Sequence, residues 1–313
     1  MSTMPRLTGS QATVAGLLAI LLWSTSVGLL RSISEALGPT GGAALIYTVS
    51  AICLVISNRR ALSSLVLSWR MLAAGTLFVL YEISLALAVG LASTRTQALE
   101  MGMINYLWPG LTLLFALYIN QQRAQWFIAP GLLLALGGVI QVMRGDTDWS
   151  PAMLLHNLAG NPVAYGLAFG AAIIWALYCN LTRRWSDGQN PVPLFFCTTA
   201  LVLWVKYLLF PQPPMHINTG TTLELLFMGV STAVAYSAWN HGLQHGNLTL
   251  LATASYFTPV LSAFIASLWL GLTPGWGFWQ GVFLVVAGSL LCWLATRRAS
   301  ATSKFASVPP AKE

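Results

Sequence analysis

Ten stretches of about 20 mainly apolar residues follow one another along this chain, the length roughly needed to carry a helix across hydrocarbon. They lie at 12–31, 40–58, 71–91, 96–119, 126–143, 162–182, 192–210, 223–242, 247–270 and 277–296. Turn-forming residues sit between them: Gly38-Pro39, Asn58-Arg59-Arg60, Gly145-Asp146, Asp187-Gly188, Pro211-Gln212-Pro213-Pro214 and Thr273-Pro274-Gly275. Lipid offers no partner to an unpaired backbone group, so such stretches must be helices. A barrel would need short alternating segments, which this sequence lacks. An ordinary soluble domain carries about 25% charged residues. Here 7% are charged and 56% apolar, too few polar groups to wet a globule. The expectation is an all-α membrane protein of ten transmembrane helices.

Lys and Arg set the orientation, because they gather on the cytoplasmic side. With the N-terminus inside, that side holds Arg6, Arg59, Arg60, Arg70, Arg123, Arg183, Arg184, Arg297, Arg298, Lys304 and Lys312. The outer side holds only Arg31, Arg95 and Arg144, with Lys206 inside the seventh stretch. Both termini are therefore expected in the cytoplasm. The net charge of +7 is spread as single residues and pairs. With no basic run or face, nucleic acid is not an expected partner. Cys53, Cys179, Cys197 and Cys292 lie in apolar stretches without metal-like spacing and read as buried thiols. No cleavage site follows the first apolar run, so it reads as retained.

The two halves echo each other. A shift of 152 pairs Trp23 with Trp175, Arg31 with Arg183 and Pro39 with Pro191. A shift of 150 pairs Tyr106 with Tyr256, Pro109 with Pro259, Trp126 with Trp276, Gly131 with Gly281 and Gly138 with Gly288. Five spans per copy is an odd number, so the second copy enters the membrane from the other side. Inverted repeats of this kind are typical of secondary transporters. The expected organisation is a cytoplasmic N-terminus (1–11), a first five-helix repeat (12–143), an extracytoplasmic connector (144–161), a second repeat (162–296) and a disordered cytoplasmic tail (297–313).

Pro109 and Pro259 each deprive a helix of one hydrogen bond, freeing the carbonyls of Asn105 and Ser255. At matching points of the two repeats they read as hinges of spans four and nine. Aromatic and amide side chains gather at similar depth: Trp23, Tyr47, Tyr81, Asn105, Tyr106 and Trp108, then Trp175, Tyr178, Asn180, Tyr236, Trp239, Asn240 and Tyr256. Buried Tyr and Trp need partners for their polar ends, so a shared central cavity is the expected location. Phosphorylated solutes would call for Lys or Arg there. Lys206, the one candidate, lies near a span end where it can snorkel. Glu82 lies mid-span, and an intramembrane carboxylate usually faces the interior; it can take up a proton or meet a substrate ammonium. Glu100, one turn into span four, either does the same or serves as a partner of the helix dipole. His241 and His245 stand i, i+4 with no third ligand in view, so no metal or other cofactor is expected. No catalytic motif is present, and the chain is not expected to be an enzyme.

The element Leu21-Leu22-Trp23-Ser24-Thr25, the matched Pro109 and Pro259, and two five-span copies resemble the drug/metabolite transporter superfamily, EamA-like branch. Longer blocks resemble its bacterial inner-membrane aromatic amino acid exporters. They include Ala36-Leu37-Gly38-Pro39, Tyr81-Glu82-Ile83, residues 102–109, residues 235–240 and Ser255-Tyr256-Phe257-Thr258-Pro259-Val260. The likeness runs over residues 10–298. It implies a basket-like bundle around a central cavity, and export of phenylalanine, tyrosine and tryptophan with other neutral amino acids such as threonine and methionine. The alternative within the superfamily is a broad-specificity metabolite or drug exporter.

Overall fold

The computed structural model describes residues 9–58, 62, 65–121, 124–144, 151–185, 190–245, 251, 254–255 and 257–306, and every regular element among them is helical. The first half holds α1 (Gly9–Ser24), α2 (Ser26–Leu37), α3 (Pro39–Ser57), α4 (Trp69–Gly90), α5 (Arg95–Asn105), α6 (Trp108–Ile119) and α7 (Ile128–Arg144). The second holds α8 (Pro151–Gly160), α9 (Pro162–Trp185), α10 (Val192–Leu209), α11 (Thr219–His245), α12 (Thr258–Trp269) and α13 (Trp276–Ala306). Seven helical stretches among the described residues are long and apolar enough to cross a membrane, and Ile128–Val142 and Thr258–Trp269 are shorter apolar helices. Large apolar side chains such as Leu208 (79% exposed) and Leu133 (68%) point outward. That surface suits lipid and would drive association in water. The chain is a multi-pass membrane protein.

Local chemistry explains most boundaries. Ser68 and Thr94 cap α4 and α5, their side chains accepting from the Met71 N–H at 3.2 Å and the Gln97 N–H at 3.0 Å. Gly38, at φ +75°, turns the chain into α3, where Pro39 takes a first-turn position that needs no N–H.

Three stretches expected as single helices are interrupted. The first parts at Thr25, whose N–H (3.1 Å) and hydroxyl (2.7 Å) both donate to the Leu22 carbonyl. The fourth parts at Tyr106-Leu107, between α5 and α6. In the ninth, α12 begins at Thr258 after a turn in which the Phe257 N–H donates to the Ala254 carbonyl at 3.0 Å. Pro109 and Pro259 are therefore not kinks within continuous helices. Each is the second residue of the helix that follows the interruption, where its missing N–H leaves no bond unmade.

The connector expected at 144–161 contains a helix, α8, opened by Pro151 and continued by Ala, Met and Leu. The tail expected to be disordered from 297 is helical as far as Ala306, because neither Gly nor Pro interrupts the sequence between these points.

The halves interlock rather than lie side by side. α1 packs along α11, α9 along α4, α10 against α3 and α13 against α7, while α6 packs on α9 and α12 on α1. Polar bonds also cross between the halves: the Trp204 indole of α10 donates to Thr48 of α3 at 2.9 Å, and the Ser50 hydroxyl of α3 donates to the Gly229 carbonyl of α11 at 2.8 Å. Between α7 and α13 the backbones touch. A Cβ at Gly138 would lie 2.6 Å from the Val285 nitrogen, and one at Gly288 would lie 2.5 Å from the Gly131 carbonyl oxygen. Small residues allow this approach, and in lipid such packing replaces the missing hydrophobic drive between helices.

Candidate substrate cavity

The interruptions of the helices converge on one space. Ser26 follows the Thr25 turn, Tyr106 lies between α5 and α6, and Ser255 and Thr258 flank the start of α12; all four line a cavity of about 270 Å³. Irregular backbone within a membrane is tolerated where it borders such a space. The volume lies near the lower end of ligand pockets, suited to one compact solute. Among the described residues, α7, α8, α10 and α13 contribute nothing to this wall.

Two aromatic groups form much of the lining. Trp23 of α1 stands 5.4 Å, centroid to centroid, from both Tyr236 and Trp239 of α11. Trp175 of α9 stands 4.4 Å from Tyr81 of α4 and meets Trp108 of α6 nearly perpendicularly, at 6.5 Å. The paired residues Trp23 and Trp175 thus each face aromatics from the other half. Rings in these arrangements attract one another beyond simple burial.

The polar equipment is sparse and mostly engaged. Glu82, 5% exposed, accepts from the Tyr47 hydroxyl at 2.7 Å and the Tyr236 hydroxyl at 2.5 Å. Its carboxyl therefore joins α3, α4 and α11. Asn105, 6% exposed at the end of α5, has a side-chain oxygen without a hydrogen-bond partner. Lys206 is not in the wall and donates to Thr40 at 3.1 Å. Among the described residues no Lys or Arg lines the cavity.

Residues 162–294 match the EamA-like transporter family. Over 292 residues the chain is 47% identical to the aromatic amino acid exporter YddG of Salmonella typhimurium, covering 93% of this chain and 100% of that protein. The YddG of Escherichia coli K12 gives the same identity and coverage. The chain belongs to the EamA-like transporter family. The YddG of Ancylobacter novellus is 28% identical over 299 residues, with 92% and 99% of the two chains covered. A crystal structure of a protein 25% identical superposes with a TM-score of 0.67 over 93% of this chain and 100% of its own.

In this EamA-like chain the expected wall residues divide into groups. Trp23, Tyr47, Tyr81, Glu82, Asn105, Tyr106, Trp108, Trp175, Tyr236 and Trp239 line the cavity. Tyr178 does not: it stacks behind Trp175 at 5.0 Å and against Phe78. Asn180 also lies away from the wall, accepting from Asn120 at 2.6 Å and donating to the Thr112 carbonyl at 2.9 Å. It braces α9 against α6. The Asn240 side chain and Tyr256 lie outside the described residues. Glu100 takes the Tyr165 hydroxyl of α9, a side chain from the other half, as partner. His245 lies outside the described side chains.

Sequence reasoning passed over Ser26, Cys179, Met228, Thr232 and Thr258 as wall residues, although each lines the cavity. All are small or flexible types common in membrane helix contacts. Helical spacing offered a partial signal, because Cys179 lies one turn beyond Trp175.

Proposed function

We propose that the chain is a secondary carrier that exports phenylalanine, tyrosine and tryptophan, with other neutral amino acids such as threonine and methionine, across the bacterial inner membrane. The observation that carries this reading is the cavity: aromatic walls, a buried carboxylate, a free amide oxygen and no fixed cation, in a chain 47% identical to YddG exporters. Apolar rings accept an aromatic side chain on its faces and edges. The carboxylate and amide oxygens suit an ammonium group, and hydroxyl and indole donors suit the carboxylate of an amino acid.

Transport proceeds by alternating access of two inverted repeats with ten spans. The seven long apolar stretches, the two shorter apolar helices and the long helix α11 support that number. The reciprocal pairings α1–α11 with α9–α4, and α6–α9 with α12–α1, support repeats that exchange roles. Both termini are cytoplasmic, as the distribution of Lys and Arg favours. The interruptions before Pro109 and Pro259 serve as hinges, and Glu82 is available to a proton as well as to a substrate ammonium. The protein works as a carrier rather than as an enzyme.

Counterflow in proteoliposomes tests this. Vesicles preloaded with unlabelled phenylalanine, without an ion gradient, are expected to accumulate labelled phenylalanine, and excess tyrosine or tryptophan should block the accumulation. Correctly inserted protein that gives no accumulation would overturn the reading. Competition by unrelated amphiphiles as strong as that by tryptophan would favour the broad-specificity exporter.

A further inference from the structure

Beyond Leu30 and Leu85 the cavity gives way to close packing. Ile33 and Leu37 of α2, Ala88 and Val89 of α4 and Ala98 and Met101 of α5 are almost fully buried. Past this plug lies a cluster of three charged side chains. Glu35 Oε1 accepts from Arg31 Nε at 2.9 Å and from Arg95 Nε at 3.1 Å, and Glu35 Oε2 accepts from Arg95 Nη2 at 2.7 Å. Arg31 also donates to the Ala92 carbonyl, and Arg95 Nη1 donates to the Leu270 carbonyl at 2.9 Å.

Two features separate this cluster from an ordinary surface ion pair, which contributes little. The Arg95–Glu35 contact is a two-pronged guanidinium–carboxylate pair, the strong geometry for such bonds. The cluster also ends on backbone: Leu270 follows the last turn of α12, where carbonyls lack helical partners and carry partial negative charge. Side-chain exposure grades from 11% for Arg31 through 30% for Glu35 to 48% for Arg95. Arg31 is the anchored end and Arg95 the releasable one.

The mechanical setting gives the cluster its meaning. It joins α2, the turn after α4, the start of α5 and the end of α12. Three of these are half-helices whose opposite ends border the cavity, at Ser26, Asn105 and Thr258. We infer that Arg31, Glu35 and Arg95 form a latch that holds the cavity closed at this end, the outer one in the orientation proposed above, and that release of Arg95 from Glu35 and Leu270 frees α12 to move. They are positioning residues for the transport cycle. The inference rests on the alternating-access reading and names the bonds that must break in it.

Cys179, in the cavity wall, is a natural reporter. In a background carrying Cys53→Ala, Cys197→Ala and Cys292→Ala, a membrane-impermeant methanethiosulfonate reagent is applied to right-side-out and inside-out vesicles. Loss of a bidentate pair is expected to shift the balance of the two states about three- to tenfold. Arg95→Gln and Glu35→Gln should therefore raise labelling from outside by about that factor and lower it from inside. Arg95→Lys keeps the charge but loses the fork, and should fall between. The exchange Glu35→Arg with Arg95→Glu should restore part of the original balance. A purely structural role would instead raise labelling from both sides and lower the yield of folded protein, overturning the latch. Unchanged labelling in Arg95→Gln and Glu35→Gln would overturn it too. If Cys179 reacts from neither side, Ser26→Cys replaces it under the same criteria. Phenylalanine counterflow by the background protein, run in parallel, keeps failure of the carrier reading distinct from failure of the latch.

Discussion

Along the α7–α13 seam a Cβ at Gly281 would fall 2.6 Å from the Gly138 carbonyl oxygen, whereas at the cavity the helices meet through large rings, Tyr81 and Trp108 packing on Trp175 with centroids 4.4 and 6.5 Å away. Both regions join helices from opposite halves of the chain. The seam is drawn together by glycines on uninterrupted helices, α7 and α13. The cavity is held apart by large rings, and all three interruptions described above border it. In lipid, apolar side chains gain little by leaving their surroundings, so tight association depends on close packing and polar bonds. One region uses that dependence to become fixed, while the other relaxes it to leave room for a solute.

The largest expected effect lies at the seam. Gly138→Leu should force two backbones apart and destabilise the protein by about 1–3 kcal/mol or more, as overpacked sites do. Thermal unfolding in detergent and the yield of monodisperse protein report it. An unchanged midpoint would mean that the seam is looser than its geometry. Trp175→Ala should weaken tryptophan competition in counterflow by folded protein about tenfold, the equivalent of about 1.4 kcal/mol. Unaltered competition would remove Trp175 from the binding wall.

Tyr236→Phe takes one of two donors from Glu82 while keeping the ring. A loss of about 1 kcal/mol, roughly fivefold in transport efficiency, is expected from a single hydrogen bond. Wild-type transport would show that the Glu82 bridge between α4 and α11 is dispensable. The smallest effect belongs to Asn180→Ala, which removes an interhelical brace contributing about 0.6 kcal/mol. Stability should fall slightly, with the affinity of the folded carrier unchanged. A loss of affinity rivalling that of Trp175→Ala would return Asn180 to the cavity.

How far this contrast was legible beforehand differs by residue. The glycine register 131/281 and 138/288 appeared in the sequence as an echo; that Gly131 meets Gly288, and Gly138 meets Gly281, appeared only on packing. Pro109 and Pro259 announced disturbed helices, since proline lacks an N–H wherever it stands. The breaks themselves precede them, because the chain turns first and places proline where a new helix has an unused donor. Thr25 gave no such notice: a threonine that turns a helix is spelled like one that merely packs in it. Tyr178 and Trp175, three residues apart on α9, share a broad face. The rotation of α9 against Phe78 decides which of them reaches the cavity.

Length, apolarity and the placement of charge determined by themselves that this chain is a helical membrane protein. Those demands come from lipid, act on each segment separately and are satisfied residue by residue along the chain. Tertiary structure alone decided where the helices part, which rings face the cavity, and that Glu82 and Glu100 each take a tyrosine from the other half. A cavity is the space left over when distant segments pack. Its wall depends on helix rotation and on partners more than a hundred residues away, such as Tyr236 for Glu82, which no local pattern records.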